Sequence, residues 1–125
     1  MNDERPTIRA VQPVLMVRDV AASIDFYRRL GFERTFTDAE ENPRYAGVAR
    51  DGFEIHLQWH DESQWDGPGD RPTTRFVVEA VDALYASFVR AGVTDCTEPG
   101  STAWGTYELH VRDPDGNGLQ FYRDL

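Results

Sequence analysis

Trp104–Tyr122, WGTYELHVRDPDGNGLQFY, decides the fold. Tyr107, Leu109 and Val111 alternate with Thr106, Glu108, His110 and Arg112, the period of a strand buried on one face. Asp113-Pro114-Asp115-Gly116-Asn117 reads as a turn, with Pro presetting φ and Gly and Asn tolerating the left-handed region. Leu119 and Phe121 then resume the apolar face, with Gln120 and Tyr122 opposite. The result is a hairpin with one apolar face, and a polar face on which function can sit.

Working outward, the same pattern occurs earlier in the chain. A shift of 61 residues takes Gly31 to Gly92, Val17 to Val78, Val20 to Val81 and Tyr27 to Phe88. Past the hairpin turns the shift becomes 64, taking Gly52 to Gly116, Ile55 to Leu119 and Leu57 to Phe121. The chain is therefore an internal duplication, and a repeat constrains the fold more than any local propensity. In the first copy Ile8–Val17 reads as a strand, restricted by Pro13 to an edge or an irregular course. Asp19 caps a helix through Val20, Ile24, Tyr27 and Leu30 that closes at Gly31. Phe32–Phe36 is a short strand, 37–44 an acidic loop, and Tyr45–Arg50 with Phe53–Trp59 a hairpin around Asp51-Gly52. The second copy runs through a strand at Thr73–Val78, a helix on Val81, Leu84, Tyr85 and Phe88, and a short extended piece at Val93–Cys96. The fold class is α+β: two tandem βαβββ units, 8–59 and 73–125, joined by a linker at 60–72. Their curled mixed sheets surround a cleft, one compact domain in all.

Composition narrows the function. A chain of 125 residues buries roughly two-thirds of its unfolded surface without staples. The single Cys96 precludes an intrachain disulfide and suits a reducing compartment. No signal-like apolar run follows the charged, loose start at Met1–Thr7, and no stretch reaches the ~20 apolar residues of a membrane span, so a cytoplasmic protein is expected. The net charge of −9 argues against nucleic acid and anionic lipid as partners and favours a neutral or cationic ligand.

Three segments, PVLMVRDVAASIDFYRRLGF, VDALYASFVRAGV and WGTYELHVRDPDGNGLQF, resemble in order and spacing the vicinal oxygen chelate superfamily of glyoxalases, extradiol dioxygenases and antibiotic-resistance proteins. The likeness is greatest to its bleomycin-binding branch, through RDVA, FYRRLGF, YAGVARD, VDALYA and the Trp104-Gly105 pair. The resemblance implies the glyoxalase/bleomycin-resistance-type fold. It also implies four wall positions where the superfamily's enzymes hold a divalent metal such as Zn, Fe or Ni. Carried through the repeat these are Gln12, His56, Thr73 and Gln120, one imidazole with two neutral amides and a hydroxyl. Such a set adds no charge to offset the desolvation of a dication, so no metal cofactor and no catalytic residue is expected. The alternative is a metal-dependent glyoxalase-like lyase, isomerase or dioxygenase using Gln12, His56 and Gln120.

The bleomycin-binding branch implies instead stacking aromatics at Phe36, Tyr45 and Trp104, with Trp65 as a lid and with Asp38, Glu40, Glu41, Asp61, Glu62 and Asp66 towards a cationic tail. Parity leaves a core role open for Phe36, Tyr45 and Trp104, and places Trp59 with Ile55 and Leu57 in the core. Glu108 and His110, side by side without a nucleophile, read as cleft-lining polar groups, as does His56; His60 reads as solvated. The expectation is a binding protein, not an enzyme, that sequesters a cationic or planar aromatic small molecule of the bleomycin type and confers antibiotic resistance. The resemblance further implies a homodimer with two clefts.

Overall fold

A computed structural model describes residues 5–65 and 71–125. The expectations for the first four residues, for the Asp66 carboxylate and for the middle of the 60–72 linker lie outside the described residues. The order is β1 (Val14–Val17), α1 (Val20–Arg29), β2 (Glu33–Thr37), β3 (Tyr45–Arg50) and β4 (Phe53–Trp59), a single 3-10 turn at Glu62–Trp65, then β5 (Thr74–Val77), α2 (Val81–Arg90), β6 (Gly100–Ser101), β7 (Thr106–Arg112) and β8 (Gly118–Asp124). Two four-stranded mixed sheets result, ordered β1-β4-β3-β2 and β5-β8-β7-β6. Each has one parallel pair, and the expected βαβββ unit appears twice. The registers carry the repeat: Val14 lies opposite His56, and Arg75, 61 residues on, lies opposite Gln120, 64 residues on.

The helices form where the sequence places them. Asp19 accepts the Ala22 N–H at 3.0 Å, capping α1, whose Val20, Ile24 and Tyr27 are buried. Gly31 at φ +88° takes the left-handed turn that releases the chain into β2. On the inner faces Leu15, Val17, Val48, Ile55 and Leu57 of the first sheet, and Leu109, Val111, Leu119 and Phe121 of the second, join the helices in one core. Rings run through it in edge contact from Tyr27 to Phe32 to Phe76, and Phe76 stacks on Phe121. The same burial puts Glu54 and His56, and on the other sheet Arg75, Glu108, His110 and Gln120, on the opposite faces.

The strands differ from expectation where proline removes a donor. β1 is an edge strand and begins only at Val14, because Pro13 offers a carbonyl, to the His56 N–H at 2.8 Å, but no N–H. Residues 93–101 follow β7, with Cys96 bridging Val111 and Thr97 N–H reaching the His110 carbonyl. The chain loses register at Glu98-Pro99, so the strand proper is Gly100–Ser101, not Val93–Cys96.

The DPDGN turn does more than reverse the chain. Gly116 takes φ +85° but Asn117 does not adopt a positive φ. Asn117 instead donates Nδ2 to the Met16 carbonyl and to Asp113. The buried Asp113 also accepts the Tyr27 hydroxyl at 2.8 Å, and the buried Asp115 accepts the Arg18 N–H at 3.1 Å and faces Ser23 Oγ. The second turn is thus docked onto α1. The corresponding junction, between α2 and the shorter Asp51-Gly52 turn, is an open groove of about 610 Å³ beside Phe53, Phe76 and Leu84. No helix of the described residues is long and apolar enough to cross a membrane.

Candidate functional site

The outer face of the first sheet carries a ring group. Phe36 and Tyr45 lie near-parallel with centroids 6.0 Å apart, and both meet the His56 ring edge-on, at 5.3 and 5.2 Å. Strand geometry makes this possible. Phe36 faces Gly47 across β2–β3, and Gly47 faces His56 across β3–β4. A β-carbon on Gly47 would fall 2.4 Å from Thr35 Oγ1 and 2.5 Å from the Phe36 ring, so only glycine leaves room for that ring. Tyr45 Oη lies 2.7 Å from His56 Nδ1, while His56 Nε2 lies 2.9 Å from Glu54 Oε2, which also accepts Gln12 Nε2 at 2.8 Å. Hydrogen bonds from Thr35 and then from His56 lower the Glu54 pKa. Glu54 was missed by sequence reasoning, although its alternation with His56 was the available signal.

On the second sheet Glu108 is the hub. Its side chain is 2% exposed and accepts His110 Nε2 at 2.7 Å, Thr106 Oγ1 at 2.8 Å, Arg75 Nη2 at 3.0 Å and Trp104 Nε1 at 3.4 Å. These donors, His110 foremost, lower its pKa to about 2 against the cost of desolvation. Arg75 also donates to Gln120 Oε1 and lies 4.0 Å over the Tyr122 ring. Trp104 is 70% exposed, an indole face open to a partner and not part of the core.

The structure therefore brings together Gln12, Phe36, Tyr45 and His56 on one sheet, and Trp104, Glu108, His110 and Gln120 on the other. Among the described residues no hydrogen bond, ion pair or ring contact joins the two groups. Trp65 is in neither. Its ring lies under the guanidinium of Arg18 at 3.8 Å and that of Arg71 at 4.2 Å, and its Nε1 donates to the His60 carbonyl. His60 is half-buried rather than solvated, with Nδ1 unpartnered among the described residues. Trp59 is partly buried against the core, as expected, under Arg44. Of the acidic loop residues, Asp38 accepts the Arg44 and Tyr45 N–H groups, and Asp61 caps the 3-10 turn; Glu40, Glu41 and Glu62 are exposed.

A metal fits this donor set poorly. The β5 position facing Gln120 belongs to Arg75, not to Thr73, and the β1 position facing His56 belongs to Val14, not to Gln12. A guanidinium on the Gln120 carbonyl would repel a dication, and no group of three His, Cys, Asp or Glu side chains converges among the described residues.

Residues 9–121 match the Glyoxalase/Bleomycin resistance protein/Dioxygenase superfamily. The chain belongs to that family. Among solved structures, this member of the superfamily is similar to the bleomycin-binding protein of bleomycin-producing Streptomyces verticillus complexed with copper(II)-bleomycin. The identity is 29% and the TM-score 0.77, over 97% of this chain and 100% of that one. A bleomycin resistance determinant encoded on the transposon Tn5 is similar at 21% identity and a TM-score of 0.70, over 94% and 98%. A glyoxalase-related enzyme from Clostridium phytofermentans is similar at 20% and 0.72, over 96% and 98%. The last two likenesses concern the fold alone. No curated protein matches the chain.

Proposed function

We propose that this superfamily member is a metal-independent binding protein that sequesters a cationic or planar aromatic small molecule of the bleomycin type. In this reading it confers antibiotic resistance, as a cytoplasmic C2 homodimer. The observation that carries the reading is the grouping of Phe36, Tyr45 and His56 on one sheet, with the open indole of Trp104 on the other. Stacking is worth about 1–3 kcal/mol per ring and a cation over a ring about 0.5–2 kcal/mol. Two or three such contacts approach the roughly −8 kcal/mol of a micromolar complex. Sequestration needs affinity and no reacting group. Among the described residues no hydrogen bond, ion pair or ring contact joins the two faces, so a second copy placing the first sheet of one against the second sheet of the other would complete two equivalent clefts. The similarity to the Streptomyces verticillus protein supports a bleomycin-type ligand.

Titration with bleomycin, followed by tryptophan fluorescence, should saturate in the micromolar range. An unchanged signal up to high micromolar ligand would remove the antibiotic from the proposal. The rival metal-dependent lyase, isomerase or dioxygenase is favoured only by the convergence of Gln12 and His56 on Glu54. Metal analysis of protein purified without chelator should find well below one divalent ion per chain; a stoichiometric ion lost on His56→Ala would favour the rival.

A further inference from the structure

We infer that two carboxylate–imidazole pairs, Glu54–His56 and Glu108–His110, set the hydrogen-bond polarity of both ligand faces, so that Tyr45 Oη and His110 Nδ1 present lone pairs and select a ligand bearing N–H groups. The inference rests on the ligand-binding reading and adds to it which atoms discriminate and what they accept. Glu54 and Glu108 are positioning residues in it; Tyr45 and His110 touch the ligand.

The argument is one of proton counting. An ionised carboxylate only accepts. Glu54 takes Gln12 and His56 on Oε2 at 2.8 and 2.9 Å, so His56 carries its proton on Nε2. In the neutral ring Nδ1 is then a bare lone pair. The Tyr45 hydroxyl, 2.7 Å away, must donate to it. Its remaining lone pairs have no partner among the described residues. The same steps hold on the other sheet. Glu108 is filled by Thr106, Arg75 and Trp104, and its Oε2 takes His110 Nε2 at 2.7 Å. That leaves Nδ1 of His110 bare and unpartnered among the described residues, on a side chain 46% exposed. Trp104 Nε1 and an N–H of Arg75 are turned to Glu108, while the Arg75 guanidinium, 39% exposed, keeps further N–H groups. The remaining Arg75 N–H groups and Gln120 are the exceptions, since Arg75 takes the Gln120 carbonyl and leaves its amide nitrogen open. On both sheets, then, a carboxylate behind an imidazole turns a group that could donate or accept into one that accepts. An amidinium, a guanidinium, a primary ammonium or a heteroaromatic N–H satisfies it. A quaternary cation of equal charge does not.

The test uses the uniformly 15N-labelled full chain at a pH where the 15N shifts show both imidazoles to be neutral. Long-range 1H–15N spectra should show His56 and His110 both protonated at Nε2 and bare at Nδ1. Glu54→Gln and Glu108→Gln, whose amides can donate or accept, should each admit the other tautomer at the imidazole they face. Loss of packing alone would not alter a tautomer in this residue-specific way. Benzamidinium should shift His110 Nδ1 saturably. Trimethylphenylammonium, with the same charge and ring but no N–H, should bind about tenfold more weakly, the loss of roughly one hydrogen bond. An Nδ1-protonated tautomer at either histidine would overturn the inference, as would equal binding of the two cations or no shift from any probe. The probes require no bleomycin, so a failure of bleomycin to bind counts against the proposed function alone.

Discussion

Glu108 holds its charge beneath the surface because four donors converge on it, and that makes it a sensor of acid. Its pKa is depressed to about 2. The stability it contributes is therefore present above its unfolded value, about 4.3, and is lost as pH falls from there towards 2. Asp115 acts in the opposite sense. Burial raises its pKa, so it favours the folded state below its unfolded value and opposes it as pH rises through the folded one. Urea midpoints measured from pH 5 to 2.5 should fall for the native chain, and Glu108→Gln should flatten that slope. Tyr27→Phe should cost about 1–3 kcal/mol in the same assay, because the buried Asp113 loses a donor at 2.8 Å. Alternation alone put Glu108 and His110 on one polar face. The repeat carries Gln12 to Thr73, and a shift of two residues there brings in Arg75, whose charge would repel a metal; strand register makes that shift, placing Arg75 opposite Gln120, while its bond to Glu108 was not legible.

The β3–β4 hairpin was readable to the residue, since Asp51-Gly52 is a strong turn between two alternating runs and the strands end where the pattern does. The ring group built on it was only half readable. Parity allowed Tyr45 either face, and what decides the matter is that Gly47 leaves space beside it for Phe36. Gly47→Ala should cost about 1–3 kcal/mol through overpacking and weaken the ligand by displacing Phe36; thermal unfolding and a fluorescence titration check the two effects. The 60–72 segment shows no periodicity and reads as a linker with Trp65 as a lid, yet Glu62–Trp65 makes a 3-10 turn and Trp65 is gripped by Arg18 and Arg71. Of the groups that hold Trp65, Arg18 comes from distant sequence while Arg71 and the His60 carbonyl lie in the segment itself, and no local periodicity announces any of them. Bleomycin titrations should accordingly find Trp65→Ala unchanged in affinity, while Trp104→Ala loses about 1–3 kcal/mol; the reverse order would restore Trp65 as a lid.

At the level of the whole chain the duplication was the most legible feature, because glycines, helix faces and hairpin turns recur in step and both sheets obey it. How the two polar faces relate was not legible: a repeat specifies like units, not the contacts between them, and among the described residues no hydrogen bond, ion pair or ring contact joins the faces. Sedimentation should find a dimer at micromolar concentration; a monomer that still binds ligand would dispense with the paired cleft. The docked DPDGN turn bears on something else, namely whether either unit can exist by itself. Cut anywhere in the linker, the N-terminal piece would leave the Tyr27 phenol and the Ser23 hydroxyl without the acids that receive them, and the C-terminal piece would carry two carboxylates stranded at the tip of a hairpin. A chain built from two like units is in this way indivisible, because each half holds polar groups that only the other half completes.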